Sequence, residues 1–77
     1  MQVKIKTLTG KVTDYTIEGE DTVLSLKQAL QEKEGITVEQ IKLIYNGKQL
    51  ADDKTLDTYN VEAGKTIHMV LTLRGGM

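Results

Sequence analysis

Few side chains in this sequence can carry chemistry, and the most suggestive of them lie at the C-terminus. There is no cysteine. No thiolate is therefore present to act as a nucleophile, to ligate zinc or to form a disulfide. His68 is the single histidine, and no serine motif or second histidine builds a triad or an acid–base pair with it. A lone histidine reads as a contact residue or a mild pH sensor, and without a second soft ligand it holds no metal. No glycine-rich phosphate motif follows a strand, and no cofactor is expected. The tail Leu71-Thr72-Leu73-Arg74-Gly75-Gly76-Met77 is different. Chain ends usually fray. Two adjacent glycines, however, lack Cβ atoms and make a thin thread that fits a narrow enzyme channel. Leu71, Leu73 and Arg74 would anchor it outside.

The elements that must position this tail are legible in the hydrophobic periodicity. Met1, Val3 and Ile5 alternate with Gln2, Lys4 and Lys6, which predicts a half-buried strand. Thr7-Leu8-Thr9-Gly10 is a loop, and Gly10 suits a left-handed position in it. A second strand runs from Lys11 to Ile17, with Thr13, Tyr15 and Ile17 on one face. After the acidic connection Glu18 to Asp21, Thr22 is a helix N-cap. Val23, Leu26 and Leu30 then recur at helical spacing, and Gly35 closes the helix. Lys27 lies beside that apolar stripe, where a lysine snorkels or pairs with a carboxylate. Thr37 to Gln40 has the spacing of a capping box around one short turn. Ile41 to Tyr45 is a third strand, followed by the Asn46-Gly47 turn and a brief fourth strand over Lys48 to Leu50. Thr55 to Tyr59 makes a helical turn with Leu56 inward, and the Tyr59 hydroxyl is expected to bond a nearby backbone group. Thr66 to Leu71 is the last strand, placed beside the first and parallel to it at the sheet centre.

Strands gathered around one helix indicate the α+β class. The expected architecture is a mixed sheet of four to five strands packed on that helix, with a domain over residues 1–71 and a flexible tail over 72–77. Alternation in the third and last strands sends Ile41, Leu43, Ile67 and Met69 inward. Ile44, His68 and Val70 then face solvent, and Leu8 at the hairpin tip can join them. A contiguous exposed apolar cluster is more informative than one exposed leucine.

The net charge is −1, from 10 basic and 11 acidic residues. That balance argues against nucleic acid, which demands a basic excess. Few aromatics are present for base stacking. No apolar run suits a signal peptide or a membrane span, so a soluble intracellular protein is the default; the cytoplasm and nucleus are the expected locations, and a monomer is the expected free state.

The segments Lys6-Thr7-Leu8-Thr9-Gly10-Lys11, Lys33-Glu34-Gly35-Ile36, Leu43-Ile44, Gly47-Lys48-Gln49-Leu50, Tyr59-Asn60 and Leu71 through Gly76 together resemble the ubiquitin family, over residues 1–76 without an obvious gap. The resemblance implies the β-grasp fold and a protein modifier that is not an enzyme. An activating enzyme, using ATP, would adenylate the Gly76 carboxylate and take it as a thioester. A conjugating enzyme and a ligase would then pass it to a lysine of a target protein as an isopeptide. Gly75 and Gly76 are the implied conjugation residues, and Leu8, Ile44, His68 and Val70 match the family's recognition patch. Met77 lies beyond the terminal glycine, so a processing hydrolase would first cleave Gly76-Met77.

Within the family, ubiquitin has arginine where this chain has Thr72. The related-to-ubiquitin (Rub, neddylation) modifiers have alanine or threonine there. Residues Leu71, Thr72, Leu73 and Arg74 resemble the gate that selects an activating enzyme, because a charge there must find or lack an acidic partner. Thr72, Lys4, Tyr45 and Asp53-Lys54 favour the Rub class, whose usual targets are cullin scaffolds, whereas Gln2, Leu50 and Asn60 look more like ubiquitin. The chain departs from the family in lacking proline, with Gly19, Thr37 and Val38 where proline is common. Gly19 and Thr37 are expected to loosen their connections. Ile41 replaces a buried polar residue. Ala29 and Ala63 replace chain-forming lysines, while Lys6, Lys11, Lys27, Lys33 and Lys48 remain, with Lys11 and Lys48 as possible acceptors. A divergent or engineered ubiquitin, and a non-conjugated ubiquitin-like binding domain, are the competing readings.

Overall fold

The N-terminal alternation forms β1, Gln2–Thr7, with Val3 and Ile5 buried and Gln2, Lys4 and Lys6 exposed. Residues 1–72 are described by a computed structural model. The chain reverses at Gly10, whose φ of +90° is the left-handed geometry that glycine tolerates best. It returns antiparallel as β2, Val12–Thr16, which pairs Val3 with Tyr15 and Ile5 with Thr13.

Helix α1 spans Val23–Glu34. Thr22 caps it as expected, its hydroxyl accepting the Ser25 N–H at 3.1 Å. Gly35 ends it in the left-handed region at φ 74°, with its N–H donated to the Gln31 carbonyl. Val23, Leu26 and Leu30 are buried against the sheet, at positions three and four apart that share one face. The following 3₁₀ turn, Val38–Gln40, forms where the sequence places it, but not through a capping box. The Thr37 hydroxyl donates to the Gln40 side-chain oxygen at 3.1 Å, and the Val38 N–H donates to Gln31 Oε1 at 2.8 Å. The donor at the start of the turn is thus satisfied from the last turn of α1, which a local sequence pattern cannot show.

Strand β3, Ile41–Tyr45, turns through Asn46 and Gly47, both with positive φ, into β4, Lys48–Gln49. That pair of left-handed residues fits a tight hairpin whose twist matches its strands. A second 3₁₀ turn, Leu56–Tyr59, carries the fully buried Leu56, and the Tyr59 hydroxyl accepts the Ala51 N–H at 2.9 Å. Strand β5 is Thr66–Leu71. Among the described residues the sheet order is β2-β1-β5-β3-β4, with β5 parallel to β1 and antiparallel to β3. The central strand, β5, is the last in sequence among the described residues.

The core is continuous: Val3, Ile5, Leu26, Leu30, Leu43, Leu50, Leu56 and Ile67 belong to one cluster. Burying each such side chain contributes about 1.5–3 kcal/mol before chain entropy is set against it. Lys27 resolves in favour of pairing: its side chain is 8% exposed and its ammonium lies 2.6 Å from Asp52 Oδ1. Gly19 is held by close approach. Its carbonyl accepts the Asp57 N–H at 2.9 Å, and a Cβ built on it would collide with the Asp57 carboxylate.

Tyr15 carries a polar atom at the edge of this core. Its hydroxyl is buried without a hydrogen-bond partner, and the Lys33 ammonium lies 5.3 Å above its ring. Burial, aided by the nearby Glu34 carboxylate, pushes the phenol above its ordinary range. Because the folded pKa is raised, this contribution to stability holds below the unfolded phenol's pKa, about 10, and is lost as pH rises through the folded value. Tyr15→Phe keeps the ring under Lys33 and removes the unpaired hydroxyl. Its expected effect is a gain of about 1 kcal/mol, with less loss of stability above about pH 10, as read from thermal melts across that range. A destabilised variant would show that the hydroxyl is satisfied in solution.

Candidate functional site

The solvent face of the sheet is set by strand register. Ile44 of β3 pairs with His68 of β5, and His68 pairs on its other side with Lys6 of β1. Lys6 pairs with Val12 of β2, and Ile44 with Gln49 of β4. Directly paired residues share a face. Val12, Lys6, His68, Ile44 and Gln49 therefore form one row across the five strands. Two residues along, Val70 pairs with Lys42. Ile44 and Val70 are half-buried, and His68, Lys6 and Lys42 are exposed. The structure thus brings Ile44, His68 and Val70 together, as the alternation predicts, and borders them with lysine ammonium groups. An apolar centre with a basic margin describes a contact surface.

Leu8 lies beyond the paired part of β1 and is 81% exposed. With Ile36, Met69 and Leu71 it lines an apolar cleft of about 400 Å³, rimmed by Lys11 and Glu34. Sequence reasoning missed Ile36. The available signal was its place just after the Gly35 cap, where an apolar residue often packs back on the helix end, and Ile36 does pack against the core.

Thr72 is attached to the body beyond the end of β5. Its N–H donates to the Gln40 carbonyl at 2.7 Å, and its hydroxyl to the same oxygen at 3.3 Å. The boundary expected after residue 71 falls one residue short of this contact. Leu71, the last residue of β5, is exposed and pairs with Ile41. The expected roles of Leu73, Arg74, Gly75, Gly76 and Met77 fall outside the described residues.

The lysines separate by environment. Lys48 is exposed in β4 beside the Asn46-Gly47 turn. Lys11 is exposed and pairs with Glu34 at 3.3 Å, a solvent-facing contact of small energetic weight. Lys27 is largely buried and paired with Asp52, so its amine is less accessible than those of Lys11 and Lys48. Among the described residues, no cluster of three or more His, Asp or Glu side chains is arranged to hold a metal ion. No helix there is long and apolar enough to cross a membrane.

Comparison with known proteins agrees with this geometry. The family model described as "Ubiquitin family" matches residues 3–74. Ubiquitin-like protein 1 of Schizosaccharomyces pombe is 50% identical over 76 residues, covering 99% of this chain and 97% of that protein. NEDD8-like protein RUB3 of Arabidopsis thaliana gives the same identity and coverage. Ubiquitin-like protein NEDD8 of Dictyostelium discoideum is 46% identical over the full length of both chains. A sheet whose last strand lies at its centre, one helix across it and this end-to-end identity lead to one conclusion: the chain belongs to the ubiquitin family.

Proposed function

We propose that this chain is a ubiquitin-like modifier of the Rub, or neddylation, class, a protein tag rather than an enzyme. The observation that carries the reading is its end-to-end identity of 46–50% with proteins named NEDD8 or RUB. The chemistry proposed for it has three parts. A hydrolase removes Met77. An activating enzyme, with ATP, then adenylates the Gly76 carboxylate and holds it as a thioester. A conjugating enzyme and a ligase finally place it on a lysine of a target, with cullin-type scaffolds as the target class and the cytoplasm and nucleus as the location. The modifier supplies the carboxylate, the thread Gly75-Gly76 and the sheet face around Ile44. Every catalytic group in these three reactions belongs to a partner.

A thioester-charging assay tests this. The chain ending at Gly76 is incubated with ATP and, separately, a Rub-type and a ubiquitin-type activating enzyme, alongside Thr72→Arg. A neutral residue at 72 leaves an acidic partner on the ubiquitin-type enzyme unpaired, whereas an arginine brings an unpaired charge to the Rub-type enzyme. Thr72→Arg is expected to lower kcat/KM with the Rub-type enzyme about 100-fold and raise it with the ubiquitin type, the fall being equivalent to about 3 kcal/mol for bringing in an unpaired charge. Charging of the unaltered chain by the ubiquitin-type enzyme alone would instead make it a divergent ubiquitin. Charging by neither would leave a non-conjugated binding domain.

A further inference from the structure

We propose that the Thr72 hydroxyl is a latch that holds the root of the C-terminal tail against the Gln40 turn and presents the tail to its activating enzyme from a fixed point. The inference rests on the conjugation reading and adds a positioning role for a side chain so far considered only for its lack of charge.

The geometry is a short chain of hydrogen bonds leading from the helix to residue 72. Gln31, in the last turns of α1, accepts the Val38 N–H and so fixes the start of the 3₁₀ turn. Within that turn the Gln40 N–H donates to the Thr37 carbonyl at 3.0 Å, and the Gln40 side chain accepts from the Thr37 hydroxyl. Gln40 is therefore braced through both backbone and side chain. Its carbonyl oxygen has two lone pairs, and Thr72 fills both with its N–H and its hydroxyl. The hydroxyl bond is half-buried, away from full competition by water.

Two bonds to one acceptor fix more than one bond does. The N–H bond alone ends the strand but leaves the residue 72 dihedrals free to fray. The hydroxyl adds a constraint on the side chain and, through it, on the direction in which the backbone departs. Residue 72 stands four positions before Gly76, the carboxylate to be adenylated. Fixing the root removes conformations that binding would otherwise have to remove, which strengthens binding without touching the chemical step. An arginine or alanine at this position cannot reproduce the bond, because neither has a hydroxyl on Cβ.

The test compares the unaltered chain, Thr72→Val and Thr72→Ser, each ending at Gly76. Valine has nearly the shape of threonine and lacks the hydroxyl, whereas serine keeps it. The first readout is amide hydrogen exchange at residue 72, measured by NMR with no enzyme present. Thr72→Val is expected to exchange about 3- to 10-fold faster, the range a single neutral hydrogen bond supports, and Thr72→Ser at close to the original rate. Equal exchange in all three would show that the hydroxyl holds nothing and would overturn the latch. The second readout is thioester charging by the Rub-type enzyme. Thr72→Val is expected to raise KM about 3- to 10-fold at unchanged kcat, with Thr72→Ser restoring it. An unchanged or lower KM beside faster exchange would show that the latch exists but does not present the tail. If the unaltered chain is charged by neither type of activating enzyme, the conjugation reading fails and the presenting role with it, while the exchange data still decide whether Thr72 is latched.

Discussion

Ile44→Ala is expected to weaken binding to a ubiquitin-receptor domain by about 30-fold while the protein stays folded. Hot spots in protein interfaces are central, apolar and ringed by contacts that exclude water. Ile44 fits that description. It lies between His68 and Gln49 in the row across the sheet, with Lys42 two residues before it and Val70 diagonal to it. Truncation to alanine removes the apolar anchor, and a loss of about 2 kcal/mol corresponds to that factor. The fold tolerates the change because Ile44 is only half-buried and points away from the main core. Val12→Thr is the control. Val12 is in the same row but on the edge strand β2, so its loss is expected to change affinity less than about 3-fold. Calorimetric titration of both variants, with a thermal melt of each, makes the comparison. Unchanged affinity for Ile44→Ala would remove this face as the recognition surface, and the Leu8–Ile36–Leu71 cleft would become the candidate.

The second large effect concerns Lys27, the one buried charged side chain among the described residues. Asp52→Ala is expected to cost about 3 kcal/mol, because it leaves the Lys27 ammonium buried without its partner. Lys27→Met is expected to cost less than about 1 kcal/mol, since methionine keeps much of the apolar stem. It leaves behind a carboxylate that is half exposed and can be hydrated. The asymmetry comes from the two exposures, 8% for Lys27 against 50% for Asp52. Ile41 makes the dependence sharper. It lines the same recess as Lys27 and Asp52, and its side chain has no polar atom to offer the ammonium. For a domain of this size, 3 kcal/mol corresponds to a fall in Tm of roughly 12–24 °C. Denaturant melts of both variants check it, and equal losses would mean that the stem, rather than the charge pair, holds the helix to its neighbour.

Local signals carried most of the fold. The change from period two to helical spacing at Val23, the caps at Thr22 and Gly35, and the Asn46-Gly47 turn all act within a few residues, so they are legible without tertiary contacts. The inward sets of β3 and β5 follow from the alternation of side chains along a strand, and from them the grouping of Ile44, His68 and Val70. The capping box expected at Thr37 failed because the Val38 N–H is satisfied by Gln31, seven residues before Val38. What Gly19 touches was not legible either: the Asp57 carboxylate, distant in sequence, lies where a Cβ on residue 19 would stand.

Element order, the inward and outward sets of each strand and the Gly75-Gly76 pair in the tail are legible in the residues alone, because periodicity, turn chemistry and residue size are local properties. The tertiary structure alone decided which outward residues become neighbours, that Lys27 meets Asp52, that Leu8 shares a cleft with Ile36 and Leu71, and that Thr72 is tied to Gln40. Each of these depends on strand register or on contacts between residues far apart in the chain, and only the packed sheet fixes those distances.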